Sequence, residues 1–294
     1  PQTTLNTLGK ALTIRGDVPD KNGNPTTIID GADSIQVFRF ASGEDATTTL
    51  EHLRIQNGSA LNGGGLHCGV GSTPTITRCV FLENSATSGG GVYCSDSDPV
   101  FSHCRILNNS AMLGGGGGMK LDQSNPSVLY CEFNDNSSEE NGGGIYNLSS
   151  SPTITNCTFQ GNFSGSTYRG GGAIDNRHSS NPTIGGSGFH NNVSAGKGGA
   201  IFNSAHYISG PIMLSDCLFS GNVAEDGGAI ANDETQTMFY DCTFLENSAT
   251  EQGGAIYNEG TLSNPGIFDC EFRNNTALEG GGGIRNRYGS MALF

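Results

Sequence analysis

Apolar residues along this chain come in short bursts of three to five, separated by Gly, Asn, Ser and Pro, and no stretch keeps a 3.6-residue period. Bursts of that length are strand-sized, not helical. Laid on itself, the chain repeats Cys-x-Phe-x-x-Asn. The Phe place holds Phe81, Ile106, Phe133, Phe159, Phe189, Phe219, Phe244 and Phe272, at spacings of 25 to 30 residues. Three residues on stand Asn84, Asn109, Asn136, Asn162, Asn192, Asn222, Asn247 and Asn275. Two residues before stand Cys79, Cys104, Cys131, Cys157, Ser187, Cys217, Cys242 and Cys270.

About twelve residues later a second motif, Gly-Gly-small-Ile-x-Asn, begins at Gly142, Gly171, Gly198, Gly227, Gly253 and Gly281. Its earlier copies end in Cys68 and Cys94 instead of Asn. Pro74, Pro126, Pro152 and Pro182 open the segment that leads to the Cys place. A unit of about 26 residues with three strands and three corners suits one turn of a parallel β-helix. Leucine-rich repeats share the length but need Leu at fixed offsets, and Leu is scarce here.

Cys and Phe lie two apart, so both face one side of a strand. That side is the core, because the residue between them varies freely (Arg105, Glu132, Thr158, Leu218). Coils stacked at about 4.8 Å set each Phe over the next. The Asn that follows is expected at a turn, in the left-handed conformation it tolerates, with its amide bonded to the same amide one coil away. The Gly pair predicts a sharp corner with close backbone approach.

Residues 1–52 are irregular, but Leu12–Ile14, Thr27–Ile29 and Val37–Phe38 read as strands of the first one or two coils, with Asp30-Gly31 as a corner. Regular repeats run over 53–294. The total is about ten coils, a rod on the order of 50 Å long. Pro1 is not a natural start, neither end carries a capping helix, and Ser290–Phe294 reads as the start of another unit. The expectation is a segment of a longer solenoid; the alternative is coils stacking end to end between copies.

Repeated Gly-Gly-Ala-Ile with Phe-x-x-Asn, over roughly residues 53 to 286, resembles the passenger repeats of chlamydial polymorphic outer-membrane proteins. The wider group is the right-handed, pectate-lyase-like parallel β-helix proteins of bacterial surfaces. The expected fold is all-β: a right-handed single-stranded parallel β-helix, or β-solenoid, with three strands per coil. The resemblance implies an extracellular or cell-surface location and an adhesive or structural role.

Charge narrows the partners. The net charge is −14, from 28 acids and 14 bases. No basic stripe is available for nucleic acid, and no apolar run approaches a membrane span of about 20 residues. Glycine reaches 46 residues, roughly twice average usage, without a collagen period. The expected partners are other solenoid segments, copies of the chain itself, or a surface polysaccharide.

Candidate chemistry is sparse. Lyases and hydrolases share such folds, and their sites resemble clusters of acids beside a base. Asp96 with Asp98, Glu139 with Glu140, Glu225 with Asp226 and Asp233 with Glu234 read as solvated loop acids, none aligned with a base in consecutive coils. The expectation is therefore no catalytic residue and no cofactor, with a carbohydrate-active enzyme as the alternative. Ser95-Asp-Ser-Asp98 offers hard oxygens to Ca2+ through Asp96 and Asp98. His52, His67, His103, His178, His190 and His206 occupy different places within their coils and read as surface residues. The Cys file reads as buried free thiols, with a Cys68–Cys94 bridge as an alternative. Finally, the place between Ile and Asn in the second motif reads as exposed. There Tyr93, Tyr146, Phe202 and Tyr257 recur at every second coil, a step of roughly 10 Å that suits stacking on a glycan.

Overall fold

Short strands bounded by left-handed corners satisfy their backbone groups by pairing with the coil above and the coil below. The computed structural model describes residues 3–204 and 210–288 and the backbone of Ala292–Leu293. Every pairing between its strands is parallel, and the strands form four walls. The first wall holds eleven strands, from Thr13–Arg15 to Ala292–Leu293. The second holds ten, from Thr27–Asp30 to Glu271–Arg273, and carries the Phe file. The third holds nine, from Ser59–Asn62 to Thr276–Ala277. The fourth holds ten, from Phe38–Phe40 to Ile284–Arg287, and carries the Ile-x-Asn motif. The chain winds through them as a right-handed solenoid. No helix among the described residues is long and apolar enough to cross a membrane.

Four walls replace the three strands per coil expected from the apolar bursts. The third wall escaped because most of its strands are two residues long and turn only Ala111, Ser138, Ser164, Ser194, Ala224 and Ala249 inward. Side chains that small leave no hydrophobic period in the sequence.

Equivalent residues stack in register. Phe133 pairs with Phe159, Phe159 with Phe189, Phe189 with Phe219 and Phe219 with Phe244. The ring centroids are 4.8–4.9 Å apart and the ring planes nearly parallel. Facing them, Ile154, Ile184, Leu214 and Phe239 fill the inner side of the first wall.

The amides of the Phe-x-x-Asn file form a continuous ladder from Asn84 to Asn275, each Nδ2 donating to the next Oδ1 at 2.9–3.0 Å. The second proton of each goes to a backbone carbonyl at the Phe place, as from Asn162 to Phe133 O at 2.8 Å. One expectation is corrected here. The left-handed residue is not the ladder Asn but the one before it, as at Glu83, Asn108, Asp135, Asn191, Glu246 and Asn274. That corner turns the Asn side chain inward, where its amide is fully used.

A second ladder runs from Asn147 through Asn176, Asn203, Asn232 and Asn258 to Asn286 at 2.6–2.8 Å. Phe40, Cys68, Cys94 and Leu121 precede it in the same file. A file of buried hydroxyls adds a third set of bonds, with Ser97, Ser124 and Ser150 N–H each donating to the Oγ one coil on. At the Gly pair, Gly227 has φ +66, and a Cβ on Gly228 would lie 2.2 Å from Gly254 O. All nine cysteines are free thiols, and every one except half-buried Cys270 is buried.

The first coil is tied down by Glu44, buried to 1% exposure. Its carboxylate accepts from Thr7 Oγ1, Gly9 N, Ser42 N and Ser72 Oγ at 2.8–3.0 Å. Ser290 and Phe294 of the last expected unit lie outside the described residues, but Ala292–Leu293 pairs with Gly266–Ile267 in the first wall.

Candidate functional site

The outward side of the fourth wall concentrates the chemistry of this chain. In a strand reading Ile-x-Asn, Ile and Asn face inward and the middle residue faces out. That outward file runs Arg39, His67, Tyr93, Lys120, Tyr146, Asp175, Phe202, Ala231, Tyr257 and Arg285, in register. Arg39 and Arg285 at the two ends of the file are exposed, but its aromatic residues are not, which corrects the expected exposure of Tyr93, Tyr146, Phe202 and Tyr257 as a glycan platform. Tyr93 and Tyr146 retain 9% exposure, and Phe202 and Tyr257 none. Side chains of the file and its strands reach back to the third wall and to the corner ahead of Ile145. Lys120 Nζ reaches Ser88 Oγ at 3.4 Å, and Arg177 Nη2 reaches Asn141 Oδ1 at 3.0 Å.

Cations fill the gaps between the rings. Lys120 Nζ lies 5.8 Å from the Tyr93 ring and 5.4 Å from that of Tyr146. The Arg177 guanidinium lies 4.9 Å from Phe202, and Lys197 Nζ 5.1 Å from Tyr257. At the N-terminal end His67 meets Tyr93 edge-on at 5.2 Å, with Arg39 Nη1 3.2 Å from its Nδ1. Cation–ring contacts gain strength where water is excluded.

Acids complete the arrangement. Asp175, fully buried, takes a bidentate contact from Arg177 at 2.7 and 3.1 Å. Burial raises its pKa, against the charge and hydrogen bond of Arg177. Arg169 pairs with Asp233 at 2.9 Å. Lys197 bonds Glu259 and stands 3.9 Å from Asp226. Burial opposes the charge on Lys197, but Glu259, Tyr257 and Asp226 outweigh it and raise its pKa. Asp226 is pushed up to about 6 by burial, in spite of Lys197. Burial, reinforced by Arg39, lowers His67 to about 4. Tyr93 and Tyr146 rise to about 12, first through burial and then through Asp122 and Asp175 respectively.

Two further expectations are thereby corrected. Asp226 and Asp233 are not solvated loop acids; consecutive coils set acids beside bases on this wall. His67 is buried and not a surface residue. The sequence signal was present, since Asp175, Arg177, Lys197, Asp226, Asp233 and Glu259 all sit in or beside the Gly-Gly-x-Ile-x-Asn motif. It went unread because the bonded partners lie between 2 and 64 residues apart.

The remaining expected residues lie elsewhere. Asp96, at φ +48, and Asp98 are exposed and flank Ser97, which turns inward to Cys68 O. Asp98 Oδ1 already accepts Asn125 N at 2.6 Å. Among the described residues no three His, Cys, Asp or Glu side chains converge as a metal site would require. His103 stacks on Tyr130 at 5.0 Å, and His190 Nδ1 contacts Ser220 Oγ at 2.7 Å. His206 lies outside the described residues.

The family described as right handed beta helix region matches residues 26–184, just over half of the chain. The Chlamydia polymorphic membrane protein repeat matches residues 189–204, 216–233, 241–259 and 269–287. Each of those four matches takes in a Gly-Gly-small-Ile segment or the Phe place ahead of it. No curated protein and no solved structure matches the chain.

Proposed function

Because the chain belongs to the right-handed beta helix family, and its C-terminal coils carry Chlamydia polymorphic membrane protein repeats, we propose that it is a structural and adhesive shaft of a larger cell-surface or secreted protein. The carrying observation is the continuity of its buried files. Rings, amides and hydroxyls run coil over coil, so the shaft resists bending while its corners stay free to vary. On this reading the partners are neighbouring solenoid segments or further copies of the chain, and the acidic surface keeps the shaft soluble between contacts. The fourth-wall ion pairs act as reinforcement: Arg177, Arg169 and Lys197 neutralise acids held against the sheet.

The test takes intact source cells and the purified chain. A membrane-impermeant label should reach the protein on intact cells, beads coated with it should adhere to cultured cells, and negative-stain images should show rods or filaments. Absence of surface labelling together with absence of bead adhesion overturns the reading.

One observation favours a second reading, a carbohydrate-active enzyme. Asp226, pushed up to about 6 by burial and 3.9 Å from Lys197, has the makings of a proton donor. A polysaccharide screen for new reducing ends or unsaturated products decides between the two, with Asp226→Asn as control.

A further inference from the structure

A concave site lies on the second wall, on strands other than those that carry the ion pairs described above. The loop 17–26, through Asp20, Asn24 and Pro25, walls one side of a half-open cavity of about 330 Å3 on the strands Leu53–Gln56, Val80–Leu82 and Arg105–Leu107. Ligand sites of this size are ordinary for small molecules. The loop is held in shape by its own bonds. Asp20 Oδ1 accepts Asn22 N and Asn24 N at 2.8 Å, and Thr26 Oγ1 donates to Val18 O at 3.0 Å. Arg105 Nη1 fastens it to the wall through Asn24 Oδ1 at 2.8 Å.

Two guanidiniums flank the cavity in an otherwise acidic chain. Arg54, Val80 and Arg105 occupy one outward file in register, so the two arginines stand about 10 Å apart along the wall, twice the strand spacing. Arg105 is shared with Glu132 at 3.2 Å. Arg54 forms no ion pair among the described residues, and its Nε is buried without a hydrogen-bond partner. Two acids stand nearby: Asp20 lines the cavity, and Asp30 acts on Arg54 through its charge, but both already accept hydrogen bonds from other groups. Asp20 takes Asn22 and Asn24, and Asp30 takes Gln56, Asn57 and Ala32. Leu82, Leu107 and Val80 supply an aliphatic floor.

We propose that this cavity binds a small organic carboxylate, its carboxyl group on Arg54 with Arg105 beside it and its carbon skeleton on Val80, Leu82 and Leu107. A planar guanidinium matches a carboxylate through paired N–H donors, and a buried donor without a partner gains from any acceptor brought to it. The floor selects for carbon next to the charge, which inorganic anions lack.

The experiment titrates the intact chain with sodium butyrate, sodium galacturonate and inorganic phosphate, reading Arg54 and Val80 backbone resonances by NMR. The expected result is saturable one-site binding of a carboxylate, weakened at least tenfold by Arg54→Gln at unchanged melting temperature. A tenfold preference for galacturonate identifies an acidic sugar as the source of the carboxylate; the reverse preference identifies a free aliphatic acid. Val80→Glu sets a carboxylate in the cavity between Arg54 and Arg105, and should abolish binding even if Arg54→Gln proves unstable. Failure of both carboxylates to saturate, phosphate binding as tightly as either, or full binding by both variants overturns the proposal.

Discussion

The side-chain amide of Asn136 donates to Oδ1 of Asn162 at 3.0 Å, and the backbone N–H of Asn136 reaches the same oxygen at 3.2 Å. Asn162 therefore closes four bonds, counting those its own Nδ2 makes to Phe133 O and Asn192 Oδ1. Asn162→Ala strands these groups in a dry interior, at about 1–3 kcal/mol for each group left unsatisfied. The substitution should lower the urea midpoint strongly and release the Asn136 amide in hydrogen exchange. Asn275→Ala, at the half-buried end of the ladder, should do much less.

Phe189 lies between Phe159 and Phe219 at 4.9 and 4.8 Å. Phe189→Ala opens a cavity that rigid coils on both sides cannot close, so the loss should reach about 3–5 kcal/mol. Phe189→Leu keeps most of the volume and should cost under half of that, as judged by denaturant titration.

Asp226 gives stability a pH dependence of unusual sign for a carboxylate. Its folded pKa is about 6, above the ordinary value of 3.8. The folded chain thus holds a proton that the unfolded chain has lost. The contribution is full below about pH 4 and disappears as pH rises through 6. Thermal melts of wild type should fall across that window, and Asp226→Asn should flatten the fall by on the order of 1–2 kcal/mol.

Glu44 acts in the opposite direction. Burial raises its pKa, but hydrogen bonds from Ser42, Gly9 and Thr7 outweigh burial and hold it at about 2, below the ordinary 4.5. Its contribution is present above about pH 4.5 and is lost as pH falls towards 2. Amide exchange in residues 3–16 should accelerate over that range before the central coils respond, and Glu44→Gln should remove the effect.

Burial pushes the Cys79 thiol up to about 12, and Cys242 rises to about 12 through its hydrogen bond with Cys217 and through burial. Thiolates are scarce in such settings. A thiol reagent at pH 8 should label native protein slowly, with half-buried Cys270 first, and label all nine sites in denaturant.

Much of this molecule was legible before any coordinates. The period of the Phe, Asn and Cys places dictated a parallel β-helix, because a repeat of that length can bury one face per strand only by stacking on its neighbours. The third wall was not legible, since Ala111, Ser138 and Ala224 face inward without a hydrophobic signature. Nor was the second amide ladder, although Asn147 through Asn286 stand in the motif.

The sequence by itself determined which side chains share a file, because files are set by spacing along the chain. Only the tertiary structure decided which files meet water. Tyr146 and Tyr257 point outward from their strand by the same alternation that turns Ile145 and Ile256 inward, and yet they are covered. Part of the cover comes from the long cationic side chains of Lys120 and Lys197, which lie over the Tyr146 and Tyr257 rings of other coils. Alternation is a property of one strand; burial is a property of everything that packs on it.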